Sequence, residues 1–296
     1  MDKPTANLLQ MMRDRVNSLR EQGNLEEALH AASALVDKCQ HALGPDLAKI
    51  DAFVSSLEAR AGIYMELGQF DEALEDGKQA IDQLDSRPDR FGALGRLYTL
   101  VGTAYDSIGK HDRMVSAWES AMSFFEKREP PLLLDVAAVA NNLGFAAKAS
   151  GDLDGAEDYF LKSLQIMHSE LGAKDPETAS VSNNLGAVYL AAGYYEQARE
   201  MHMMALEARR ENFGENHEDT AQSHNNLALA LLETGDRTWA RKHFERALSA
   251  FEALGSNHVD DLESVASNYC EFLCAEGEEN LAKVIEKRVK ESLQSS

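Results

Sequence analysis

The sequence predicts an all-α protein, an array of about seven helix–turn–helix units. Three observations lead there: a glycine recurs at a nearly constant interval, small residues recur at fixed distances from it, and the apolar residues between them follow a helical rather than a strand-like period. Composition agrees. The chain holds six prolines in 296 residues and is rich in Ala, Leu and Glu, which favours helix over strand.

The marker glycines are Gly23, Gly68, Gly109, Gly151, Gly193, Gly235 and Gly277, at spacings of 45, 41, 42, 42, 42 and 42. Each is expected to end one helix, where a left-handed backbone is cheap for glycine. Five residues beyond most of them stands an alanine: Ala28, Ala73, Ala156, Ala198, Ala240 and Ala282, with Met114 departing in the third unit. Seven residues further lie Ala80, Ala121, Ser163, Ala205 and Ala247. Seven residues before each glycine are Val16, Ala61, Gly102, Gly144, Gly186, Ala228 and Cys270, the bulkier pair falling in the terminal units. Small residues at fixed phases let one helix approach the next closely enough to interlock. Leu143, Leu185 and Leu227, and further on Phe124, Phe160 and Phe244, are expected to fill the remaining inner positions. A lone helix pair cannot cover its apolar face; stacked pairs can.

Several stretches carry a family resemblance. They are Asn141-Asn142-Leu143-Gly144, Asn183-Asn184-Leu185-Gly186-Ala187-Val188-Tyr189 and Asn225-Asn226-Leu227-Ala228, with the loops Leu171-Gly172-Ala173-Lys174-Asp175-Pro176 and Phe213-Gly214-Glu215-Asn216-His217. The pattern resembles the tetratricopeptide repeat, and most closely the longer, 42-residue repeat of kinesin light chains. The resemblance is strong over residues 132–258 and degraded over 1–130. It implies a right-handed α-solenoid, one domain over 1–296, with repeats at roughly 8–46, 47–90, 91–131, 132–175, 176–217, 218–259 and 260–296. The last ends in a charged capping helix, Lys283 to Lys290. The connections Ser86-Arg87-Pro88-Asp89 and Arg128-Glu129-Pro130-Pro131 are expected to bend the array.

The functional signal lies on the first helix of the later units. Asn142, Asn184, Asn226 and Asn268 recur every 42 residues; Asn141, Asn183 and Asn225 precede the first three, and Ser267 the fourth. Asparagine inside a helix costs roughly 0.6 kcal/mol against alanine, so its repetition calls for a reason. A carboxamide both donates and accepts, and a row of them matches the backbone of an extended peptide. The resemblance places this helix on the concave wall, which implies that the four amides face a peptide groove. The alternative is that they bond between neighbouring helices and brace the stack. The same faces carry Phe145, Lys148, Ala187, Leu190, Gln222, Leu229 and Leu232, which suits a ligand with apolar side chains unless the leucines simply pack. Arg96 and Lys148 are the basic candidates in the central grooves, fewer than the resemblance implies for an acidic cargo peptide. The carboxylate clamp of chaperone-binding relatives would fall on Arg13, Asn17, Ala59, Arg96 and Leu100. Ala59 and Leu100 are the wrong types, so a working clamp is not expected.

Composition excludes other classes. A formal charge of −21, with no run of five basic residues, disfavours nucleic acid and anionic membrane. No apolar run reaches the length of a membrane span, and the first residues lack a signal-peptide pattern. Three cysteines, Cys39, Cys270 and Cys274, make no disulfide framework and point to the cytoplasm. Cys270 and Cys274 read as buried thiols rather than metal ligands, and the nine histidines form no ligand motif. No phosphate-binding or nucleophile motif is present, so no cofactor and no enzymatic activity are expected. Trp118 reads as core. Tyr195 is assigned to an aromatic packing position, and Tyr194 and Trp239 to the surface, Trp239 as an interface candidate. The expected function is a scaffold or adaptor that binds a protein or peptide. Self-association and the sensing of a signalling peptide stand as alternatives; Leu8, Leu9, Met11 and Met12 would then cover the end of the array or dock a partner.

Overall fold

The computed structural model describes residues 1–84 and 87–295. It contains seven consecutive helix pairs and, among the described residues, no strand. The pairs are α1 (Lys3–Glu21) with α2 (Leu25–His41), α3 (Leu47–Glu66) with α4 (Phe70–Asp82), α5 (Phe91–Ser107) with α6 (His111–Lys127) and α7 (Leu133–Ser150) with α8 (Leu153–Glu170). They continue with α9 (Pro176–Ala192) and α10 (Tyr195–Phe213), α11 (Glu218–Glu233) and α12 (Arg237–Leu254), and α13 (Val259–Ala275) and α14 (Glu279–Ser295). The expected α-solenoid architecture of seven helix–turn–helix units is thus present. No helix among the described residues is long and apolar enough to cross a membrane.

The turns form for the reason the spacing suggests. All seven marker glycines have positive φ, between 70° at Gly109 and 85° at Gly151. At Gly193, φ is 81°, its N–H bonds back to the Leu190 carbonyl, and the Tyr194 N–H reaches the Tyr189 carbonyl at 2.8 Å. These bonds satisfy carbonyls that a helix end otherwise leaves orphaned. Helix starts are capped by side chains: Asp46 accepts from Ala48 N, Asp152 from Gly155 N, Asp175 from Glu177 N and Asp236 from Trp239 N.

The chain divides into two compact units, Met1–Ala146 and Ala147–Ser296. In the first, α1 to α5 share a core that includes Leu9, Val16, Leu35, Phe53, Leu57, Ile63 and Leu97. Arg60 clasps the buried Asp76 through two bonds, Nε to Oδ2 at 2.7 Å and Nη2 to Oδ1 at 2.6 Å, which ties α3 to α4. Trp118 is buried, as expected, and packs onto Gly102: a Cβ there would come within 2.5 Å of the indole Nε1. Phe124 departs from expectation. It is half-buried and stacks on Tyr98 at 5.6 Å, while Trp118 takes the inner slot nine residues past the turn glycine, which Phe160 and Phe244 fill in their own units. Ser86, assigned above to a bending connection, lies outside the described residues; Pro88–Arg90 forms a single 3₁₀ turn.

In the second unit, Phe244, Leu248, Phe251, Val265, Tyr269 and Leu273 centre a core that α14 closes with Ala282, Ile285 and Val289. The phased small residues Ala156, Ser163, Ala198, Ala205, Ala240 and Ala247 are all fully buried. Two further expectations fail here. Tyr195 is 38% exposed rather than packed, and Cys274 is exposed, whereas Cys270 is buried as expected. Cys274 stands one turn beyond Cys270, close to the C-terminal end of α13, where its side chain is open to solvent.

Candidate functional site

The asparagines lie in mid-helix, where the 42-residue period brings successive first helices into the same phase. In the second unit they are wired to one another. Asn226 Nδ2 donates to Asn183 Oδ1 at 2.9 Å, and Asn268 Nδ2 donates to Asn225 Oδ1 at 3.1 Å. The later amide of one pair thus reaches back to the earlier amide of the preceding repeat. Each such neutral bond contributes about 0.5–1.5 kcal/mol net. Gln222 Nε2 donates to Asn226 Oδ1 at 3.2 Å from one turn away. Asn225 is only 3% exposed. Asn141, Asn142, Asn183, Asn184, Asn226 and Asn268 are half-buried, each with part of its surface open to solvent.

Histidines support this arrangement, although they form no motif in the sequence. His202, 1% exposed, points its Nδ1 at Asn183 Oδ1, 3.1 Å away. The oxygen can only accept, so Nδ1 carries the proton and the buried Nε2, without a partner, is a bare acceptor. Burial, then the nearby Arg209 and Lys148 charges, lower the His202 pKa to about 4. The ring lies over Gly186, where a Cβ would come within 2.8 Å of it. His202 occupies the phase of Phe160 and Phe244, nine residues past the turn glycine, and that phase was the available signal. A second contact joins α11 to α12: His224 Nδ1 and His243 Nδ1 are 2.7 Å apart, with Glu215 Oε2 3.2 Å from His224 Nε2. The carboxylate fixes the Nε2 proton, so His224 Nδ1 accepts from His243 Nδ1–H. Burial is the main cause that lowers both pKa values, that of His243 to about 4.

Arg209, 6% exposed, crosses three helices. Its guanidinium donates to Ser223 Oγ at 2.9 Å, to the Asp219 carbonyl at 3.2 Å and to Ser180 Oγ at 3.3 Å. The asparagine-bearing helices are therefore held in register by amides, imidazoles and a buried guanidinium.

The other site candidates fall elsewhere. Arg96 is exposed and clasped by Glu58, with bonds of 2.8 and 3.3 Å, so its charge already has a partner. Of the remaining clamp positions, Asn17 is exposed and Arg13, Ala59 and Leu100 are half-buried. Lys148 is half-buried near the end of α7. Phe145 is 46% exposed, while Leu229 and Leu232 pack against the core of the second unit. Trp239 is 49% exposed, in agreement with expectation.

Stacked helix pairs with close-packed small residues and an inter-repeat amide ladder define the helical-repeat class of proteins. Residues 135–211 and 182–253 match the tetratricopeptide repeat family. Residues 135–253 therefore carry tetratricopeptide repeats, and the fold of the chain is similar to that of kinesin-light-chain-like repeat proteins. It is 30% identical over 113 residues to the Hsp70-Hsp90 organizing protein of Triticum aestivum, a match that covers 37% of this chain and spans only 18% of that protein's length. The crystal structure of BtubC (BKLC) from P. vanneervenii superposes with a TM-score of 0.65 at 25% identity, covering 78% of this chain and 92% of that one. A putative kinesin light chain of Podosopora anserina with nearly identical repeats gives 0.54 at 20% identity over 67% of this chain and 94% of that one. The apo form of RapI gives 0.72 at 16% identity over 98% and 77%. The last two likenesses are of fold alone. Tetratricopeptide repeats mediate protein–protein interaction.

Proposed function

We propose that this chain is a non-catalytic scaffold or adaptor that grips an extended segment of a partner protein along the asparagine-bearing helices of its C-terminal unit. The observation that carries the reading is the wiring of the ladder. The bonds from Asn226 to Asn183 and from Asn268 to Asn225 hold each later amide in one orientation, with part of it exposed. Bracing and binding are then complementary: a side chain already immobilised loses less rotamer freedom when a ligand arrives. Asn226 keeps a second N–H, and Asn268 keeps its Oδ1, beyond the bonds they make within the chain. Those groups suit a peptide carbonyl and a peptide N–H. Buried Cys39 and Cys270 with an exposed Cys274, all free thiols, support a reducing compartment such as the cytoplasm.

The test removes the same two bonds from opposite ends. Asn226→Ala with Asn268→Ala deletes the exposed amides; Asn183→Ala with Asn225→Ala deletes their braces. Both pairs should lower stability to a similar degree, but capture from a peptide library should fall several-fold further for the first pair. Equal capture by the two double variants would remove the amides from the binding argument. A second reading, self-association, draws support from α1, where Leu8 is 42% and Met11 69% exposed. Light scattering of the chain alone, with Met11→Lys as control, decides it: a dimer lost in the variant supports it, and a monomer at all concentrations rejects it.

A further inference from the structure

The second unit carries a groove that none of the ladder asparagines lines. It runs between α10 and α12, the second helices of two successive repeats, and has a volume of about 510 Å³. Its floor is apolar, formed by Leu206, Leu227 and Leu231, all buried. Met203 and Trp239 stand on opposite walls, 54% and 49% exposed. Large apolar side chains facing each other across an apolar floor, ringed by charge, have the anatomy of a protein interface core with its rim.

The rim runs against the charge of the chain. The whole protein carries −21, yet three arginines line this groove, Arg199, Arg210 and Arg246. Lys242 adds a fourth cation, its Nζ 4.1 Å from the centre of the Trp239 ring. The opposing carboxylates are Glu207 and Asp236, and Asp236 is engaged in capping α12. Arg199 pairs with Glu196 at 2.7 Å and Arg210 lies 3.9 Å from Glu215. Arg246 is exposed and has no carboxylate within ion-pair distance among the described residues.

We infer that this groove docks an amphipathic helix of a partner protein, with its apolar stripe between Met203 and Trp239 and carboxylates on its flank meeting Arg246 and its neighbours. The backbone decides helix over strand. The groove walls are helices whose own N–H and C=O groups are bonded internally, and the lining contains no carboxamide, unlike the asparagine-bearing face. An extended chain laid here would leave its backbone groups without partners over an apolar floor, whereas a helix satisfies its own. From Arg199 to Arg210 the wall runs about 16 Å, the length of three helical turns. The groove stands apart from the ladder: it uses other side chains, and its walls are α10 and α12, which carry none of the ladder asparagines, although Leu227 and Leu231 of its floor share α11 with Asn226.

The probe is an amidated peptide of about 15 residues, with leucines along one helical face and glutamates on its flanks. Its counterpart carries lysine for glutamate. Trp239 reports binding through its fluorescence, since the only other tryptophan, Trp118, is 5% exposed and lies in the other unit. The acidic peptide should shift the emission at least about tenfold more tightly than the lysine peptide, and more weakly in high salt. Arg246→Glu, a change at an exposed position, should weaken the acidic peptide and strengthen the basic one. Asn226→Ala should leave both unchanged. Equal binding of the two peptides, or an Arg246→Glu variant that binds the acidic peptide as well as the parent, overturns the inference. So does a dimer of the chain that Arg246→Glu dissociates, because the groove would then belong to a second copy.

Discussion

Replacing His202 with phenylalanine should remove an acid-sensitive weakness from the centre of the C-terminal unit. His202 is 1% exposed and its pKa is lowered from 6.5 to about 4, by burial first and then by the Arg209 and Lys148 charges. In the unfolded chain the same ring titrates near its ordinary value. The folded pKa is the lower of the two, so between them the unfolded chain binds more protons. The contribution to stability is therefore complete above about pH 6.5 and is lost as pH falls toward about 4. At pH 5 the imbalance amounts to about 2 kcal/mol for this one group. Phenylalanine has a precedent in the same slot, as Phe160 and Phe244 occupy it in their own units, both fully buried. At neutral pH the variant gives up the bond to Asn183, worth about 1 kcal/mol, and also removes a buried Nε2 that has no partner. Those terms nearly cancel. Urea unfolding followed by circular dichroism at pH 7.5 and pH 5.0 measures the outcome. Parent and variant should be close at the higher pH and differ by about 2 kcal/mol in favour of the variant at the lower. His243, also at about 4, leaves both proteins with a further loss in acid, which the comparison subtracts. The same fall in stability for both proteins would show that His202 is not what titrates, and the burial argument would be refuted.

Other substitutions probe the packing and the ladder. Gly102→Ala would drive a Cβ into the Trp118 indole, and should destabilise the N-terminal unit by about 1–3 kcal/mol with a red-shifted Trp118 emission; an unchanged spectrum and midpoint would contradict the close approach. Asp76→Asn removes the charge opposite Arg60 in a part-buried pair and should cost about 3–5 kcal/mol in chemical unfolding, while Arg60→Met with Asp76→Leu should recover most of it. Asn225→Ala deletes a buried acceptor of the ladder and should lower stability by about 1–3 kcal/mol, read from the melting temperature, because Asn268 Nδ2 loses its partner.

Much of the architecture was legible because it is local. A glycine that ends a helix, an alanine that admits a neighbouring helix and a leucine that fills the space left are properties of a few residues and their phase. Gly193, Ala198 and Leu185 behave in the structure as their spacing implies. Phase also limits what can be read. By residue type alone, Phe124 and Tyr195 belong at inner positions. The inner aromatic slot belongs instead to the ninth residue past the turn, which is Trp118 in one repeat and His202 in another. Cys274 shares a helical face with Cys270, but only Cys270 lies at the phase that meets the next helix.

The chain by itself determined the seven helix pairs, their turns, the phased small residues and the row of asparagines, because each follows from periodicity within one repeat. Only the tertiary structure decided which groups meet across helices. It sets the Asn226 amide on Asn183, gives Glu58 to Arg96, joins His224 to His243 and places Met203 opposite Trp239 over a shared apolar floor. The physical reason is range. Those partners are separated by 19 to 43 residues, and their contact depends on how one helix is rotated and shifted against the next, which the packing of the large side chains settles and no local spacing encodes.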